Sequence, residues 1–175
     1  MIHLQCTQSV LKHFGLNPKE LQAAQDTNAV LGNWSLTNMI IDRRHAFLFM
    51  SDKSLLSFLL LEGRMPFDLA RIQGLLHGGV SQLLDFMGLK QAVIGRVLAG
   101  MNTIAVTKTK DRALVGNLSS LADDYQHRVM ASGGLNACDL TKIILNINSG
   151  PQRRLGWSTS TEIAIQLINS PNGAA

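Results

Sequence analysis

The sequence predicts an α+β fold: an antiparallel sheet of about four or five strands layered with four to six helices. Three observations predict it. Residues 2 to 6 alternate, with Ile2, Leu4 and Cys6 on one side and His3 and Gln5 on the other, the pattern of a half-buried strand. Residues 34 to 61 break into three apolar runs separated by two short polar turns, which reads as a β-meander. Beyond residue 66 most of the apolar spacing changes to the three-and-four period of helices.

After the first strand, Val10, Leu11 and Phe14 form a short helical stripe that Gly15 stops, and Asn17-Pro18 has the side-chain order that opens a helix. In the meander, Asp42-Arg43-Arg44-His45 makes the first turn, Ala46 to Met50 the next strand and Ser51-Asp52-Lys53-Ser54 the second turn. Leu55 to Leu61 is apolar on both faces, so it belongs in the sheet centre or under helices on both sides. Pro66 can start a helix with the stripe Leu69, Ile72, Leu76, Val80, Leu83 and Met87; Gly74, Gly78 and Gly79 inside it predict a bend near His77. Ala92 to Leu98 suits helix or strand, and Thr103 to Thr109 reads as a strand. Leu118, Leu121, Tyr125 and Val129 mark an amphipathic helix, with Asp123–His127 and Asp124–Arg128 pairs on its outer face. Leu140 to Ile147 marks another, and Thr159 with Glu162 is a capping-box signature before a last short helix, although Ile163, Ile165 and Leu167 would also suit a strand. Trp34, Phe47, Phe49, Phe58, Leu121 and Tyr125 are expected in one core. A single domain over residues 1–170 is expected, with a flexible tail at 171–175.

Composition bounds the function. Hydrophobic residues make up 46% of the 175 and charged residues 16%, against about 25% charged in ordinary soluble proteins. Such a chain buries a large core or covers apolar surface with a partner, so a protein partner and self-association are both expected. The net charge of +4 admits phosphate contact. Cys6 and Cys138 stand far apart in no metal-ligand spacing, which predicts two buried thiols, no metal and a reducing, cytoplasmic setting. No apolar run approaches the ~20 residues of a membrane span.

The sequence has no phosphate-binding Gly-Lys loop, no dinucleotide turn, no His-Glu-x-x-His and no nucleophile elbow, so neither a familiar catalytic class nor a cofactor is expected. The polar constellation sits at strand ends. Arg43, Arg44 and His45 crowd one turn; Lys108, Lys110 and Arg112 cluster at another, followed by Gly116-Asn117 before the amphipathic helix. Paired arginines, lysines and free N–H groups at a helix start suit an anion, phosphate or carboxylate; solvated turns, with Asp42 pairing an arginine, are the simpler account. Arg153-Arg154 reads as an exposed loop, His77-Gly78-Gly79 as core or hinge and Trp34 as a core residue at a strand start.

The blocks Ile2 to Thr7, Leu31-Gly32-Asn33-Trp34, Ile41-Asp42-Arg43-Arg44, Leu48-Phe49, Lys53 to Phe58, Thr107-Lys108-Thr109, Arg112 and Gly116 resemble a family of small bacterial proteins of unknown function. Members tend to carry Lys where His45 stands, Asn at Asp111, and Ser at Ala113 and Asn117. The resemblance implies a shared bacterial or phage-related α+β fold and brings no reaction, cofactor or catalytic residue. The expectation is a non-enzymatic binding or regulatory protein acting through a macromolecular partner, such as an inhibitor or accessory subunit of a nucleic-acid-processing machine. Direct nucleic-acid binding through the basic turns is the second reading. The third is an enzyme with an unfamiliar anion site at Arg43, Arg44, Lys108 and Arg112, with His45 its nearest titratable group.

Overall fold

A computed structural model describes residues 1–109 and 111–170; Lys110 and the expected tail at 171–175 lie outside the described residues. The chain runs β1 (Ile2–Cys6), α1 (Gln8–His13), β2 (Trp34–Ile41), β3 (Arg44–Ser51), β4 (Ser57–Leu61), α2 (Ile72–Phe86), α3 (Gln91–Ala99), β5 (Ile104–Lys108), α4 (Arg112–Ala131), α5 (Leu140–Asn148) and α6 (Ser160–Asn169). A single turn of 3₁₀-helix lies at Arg153–Leu155. The five strands form one sheet in the order β4-β3-β2-β1-β5.

The meander β2-β3-β4 is antiparallel, and β1 joins it parallel to both β2 and β5. A central parallel strand is covered on both faces, and all five residues of β1 are buried. One face of the sheet carries Ile2, Leu4, Trp34, Leu36, Phe47, Phe49 and Phe58, packed under α1, α2, α3 and α6. The other carries Ile41, Ala46, Leu48, Met50 and Leu59 under α4 and α5, with Tyr125 fully buried among them. The single core expected for Trp34, the three phenylalanines, Leu121 and Tyr125 is therefore two cores, divided by the sheet.

Several local expectations are corrected. Asn17-Pro18 opens only a turn: the six residues of α1 end at His13, just before Phe14-Gly15, and no new helix follows before β2. The helix after Pro66 starts at Ile72 and runs unbroken through His77 to Phe86. Its glycines do not bend it. Gly79 is instead where α2 rests on the sheet, since a Cβ there would fall inside the Phe58 ring. The ambiguous 92–98 segment is helix, within α3. The amphipathic helix begins at Arg112, not after Asn117, because Asp111 caps it by accepting from the N–H groups of Ala113 at 2.7 Å and Leu114 at 3.4 Å. The Thr159–Glu162 capping box is present as expected.

The β2–β3 turn has two residues, Asp42 at φ 45° and Arg43 at φ 63°, the left-handed pair that matches the twist of a tight hairpin. Asp42 forms none of the expected arginine pairs. Its Oδ2 accepts the Leu135 N–H at 2.9 Å and ties the hairpin to the loop after α4. Gly134 in that loop has φ 87°, and a Cβ there would stand 2.7 Å from the same Oδ2, so glycine is required twice over. Cys6 is buried and its thiol is pushed up to about 12 by desolvation, whereas Cys138 is only half-buried. Among the described residues no helix is long and apolar enough to cross a membrane.

Candidate functional site

The strand-end residues do not gather into one surface. Lys108 lies level with Cys6 and Leu36 across the sheet, whereas Arg44 pairs with Ile41, five residues further along β2. At roughly 3.3 Å per residue along a strand and about 4.8 Å between strands, five residues and three strand spacings put Lys108 and Arg44 about 22 Å apart. The expected ligands also have local duties. Arg44 donates to the Glu62 carbonyl at 3.3 Å and Lys108 to the Pro18 carbonyl at 3.0 Å. Thr107 is buried and donates to the Leu4 carbonyl. Arg43, His45 and Arg112 are exposed. Of the expected residues that are described, only Asn117 lines the cavity described next.

That cavity, about 400 Å³, lies between α4 and the loop that joins α5 to α6. Asn117, Ser120, Leu121, Asp124 and Arg128 recur at helical spacing and make one wall. Gly150 to Arg154 make the other, and Met50, Leu55 and Ile147 the apolar floor. The second wall is rigid for a loop. Pro151 bridges to Thr159, the Gln152 N–H donates to the Ser158 carbonyl at 2.9 Å, and the N–H groups of Leu155 and Trp157 both donate to the Gln152 carbonyl. A further depression of about 430 Å³ shares Asp124 and Arg128 and adds His127, Ser132 and Asn146, which extends the cleft along α4.

The electrostatics are one-sided. Three guanidiniums, of Arg128, Arg153 and Arg154, line the cavity against a single carboxylate, Asp124. Among the described residues there are two ion pairs, Asp124–Arg128 at 2.8 Å and Arg154–Asp111 at 3.8 Å, and both engage cavity arginines. Arg128 and Arg154 keep 42% and 40% of their side chains exposed, so these pairs are weak and leave donors free for a ligand. The Asn117 Nδ2 is buried with no hydrogen-bond partner, and so is the Ser35 Oγ, which stands beside cavity-lining Met50 on the same sheet face. Unpaired buried polar atoms are costly, and ligand sites are one place they persist. Ser120 is the one hydroxyl lining the cavity, and among the described residues it has no hydrogen-bonded base. Among them, too, no group of three or more His, Cys, Asp or Glu is placed to hold a metal ion.

Arg153-Arg154 is exposed, as expected, and also supplies two of the three guanidiniums of the cleft, and Arg128 enters through the Asp124–Arg128 pair read as surface pairing. The linear sequence carries little signal for either, because the walls come from segments 117–128 and 150–154 and the floor from 50–55 and Ile147. The one usable sign was the Arg153-Arg154-x-x-Trp157 spacing, two guanidiniums and an aromatic ring within five residues.

No curated protein and no solved structure matches the chain. Residues 3–163 match the family described as a domain of unknown function (DUF6933), in agreement with the resemblance read from the sequence. By that match, which spans nearly the whole chain, the protein belongs to the DUF6933 family.

Proposed function

We propose that this is a non-enzymatic binding protein that recognises a macromolecular partner by an anionic group, phosphate or carboxylate, held in the cleft between α4 and the α5–α6 loop. The observation that supports it most is the convergence of Arg128, Arg153 and Arg154 on one cavity that Asn117 also lines. Guanidinium forks are suited to two-point contact with phosphate or carboxylate, and charge-assisted hydrogen bonds are the stronger ones. Ser120 without a base offers no nucleophile for turnover. An amide and three guanidiniums can bind and orient an anion without transforming it.

Titration with inorganic phosphate and with an octaglutamate peptide tests the reading by ¹⁵N NMR. The side-chain amide of Asn117 and the Nε–H groups of Arg128, Arg153 and Arg154 should shift together with at least one of the two, while Arg43 and Arg44 stay put. Shifts confined to the β2–β3 turn, or none with either anion, would overturn it.

A further inference from the structure

We infer that the partner is a single-stranded nucleic acid, with its phosphates in the arginine cleft and a base stacked on Trp157; the inference rests on the anion-binding reading of that cleft. Trp157 is 68% exposed, the most exposed of the large hydrophobic side chains. It is held that way at a cost. Gly156 at φ 62° and Trp157 at φ 70° are successive left-handed residues, a conformation that L side chains rarely adopt. The Trp157 N–H is bonded at 2.9 Å to the carbonyl of Gln152, itself part of the cavity wall, so the ring is presented by the same rigid loop that carries Arg153 and Arg154. A solvated indole on a strained, hydrogen-bonded loop is a preorganised stacking platform, and arginines beside an aromatic ring are how sequence-tolerant binders hold a strand.

The length of the cleft agrees. From Asn117 to Ser132 it follows fifteen residues of α4 and its cap, about 22 Å at 1.5 Å per residue. One isolated ion needs far less, whereas an extended polyanion needs such a track. Among the described residues Asp124 is the only carboxylate lining either part of it, already paired with Arg128, and Asp111 stands 3.8 Å from Arg154 at its rim. An acidic peptide would answer the charge but leave the exposed indole without a purpose.

The chain has two tryptophans, and Trp34 is fully buried, so fluorescence quenching reports on Trp157 alone. The test is titration of the full chain with dT12, a 12-base-pair duplex and octaglutamate over a salt series. The inference expects quenching by dT12 and a slope of log K against log salt near −2, about −0.7 for each of three arginine contacts. Trp157→Ala, which removes the fluorescent reporter and is therefore read by fluorescence anisotropy of labelled dT12, should weaken dT12 binding about tenfold with the slope unchanged, and Arg153→Ala/Arg154→Ala should reduce the slope to about −0.7. All three side chains project from an exposed loop, and circular dichroism checks that the variants fold. Binding of octaglutamate through the arginines without dT12 binding overturns this inference and leaves the anion-binding function standing. Binding of neither overturns both. Equal affinity for the duplex without quenching overturns the stacking assignment.

Discussion

Replacing Asn148 by Ala should destabilise the protein by about 3 kcal/mol. Asn148 is 1% exposed and closes the outer edge of β4. Its Oδ1 accepts the Ser57 N–H at 2.8 Å, and its Nδ2 donates to the Ser57 and Ile144 carbonyls, both at 2.8 Å. Alanine leaves the Ser57 N–H a buried donor with no partner, at about 2 kcal/mol. The Ser57 carbonyl retains only the long Tyr125 hydroxyl contact at 3.4 Å, and the lost bonds with their small void add about 1 kcal/mol. With a urea m-value near 2 kcal/mol/M, the midpoint should fall by about 1.5 M with m unchanged. A shift under about 0.3 M would refute the reasoning, because the clamp would then be open to water. The clamp also bears on function. The Thr161 hydroxyl donates to the Asn148 carbonyl at 3.1 Å, so this residue fixes both ends of the loop that carries Arg153 and Arg154.

Two further outcomes test the packing and its electrostatics. Gly79→Ala should cost roughly 2 kcal/mol because Phe58 must move, whereas Gly78→Ala, facing open space on the same helix, should stabilise by about 0.5–1 kcal/mol; thermal melts of the pair decide it. Desolvation raises the Asp52 carboxyl to about 6, above its ordinary value, even though the Asn33 backbone and Lys53 act to lower it. The folded state therefore holds a proton that the unfolded state has released, and stability falls as pH rises from about 4 to 6, then levels. Two pKa units would amount to about 3 kcal/mol, but Asp52 is partly solvated and screening reduces this to about 1 kcal/mol. Asp52→Asn should remove the decline and be the more stable form at pH 7.5, read by melting temperature at pH 4.5 and 7.5.

The parts of this fold that were legible in the sequence are those whose signal is local. The β2-β3-β4 meander shows in its polar turns, and α6 in Thr159 and Glu162. The placement of β1 was not legible as a central strand parallel to both neighbours, because parallel pairing is decided by segments thirty and a hundred residues away. Gly116 hid the first turn of α4, since glycine disfavours a helix and the Asp111 cap outweighed it. Gly78 and Gly79 misled in the opposite sense, suggesting a bend where the chain needed one close approach to Phe58. The site was harder still. Alternation showed that Arg43, Arg44 and Lys108 lay at strand ends, but not that β2 extends five residues beyond the end of β1. Nor did it show that Arg128 and Arg154, each of which looks like ordinary surface, face each other across a cavity.

The central claim is that binding resides in the arginine cleft and not in the strand-end turns. It is tested most directly by fluorescence anisotropy of labelled dT12 with two variants, Arg153→Ala/Arg154→Ala and Arg43→Ala/Arg44→Ala. Each removes two positive charges, so the change in net charge is the same. The account predicts an affinity loss of at least about tenfold for the first, the equivalent of 1.4 kcal/mol, and none beyond error for the second. Equal losses, or a larger loss for Arg43→Ala/Arg44→Ala, would contradict it.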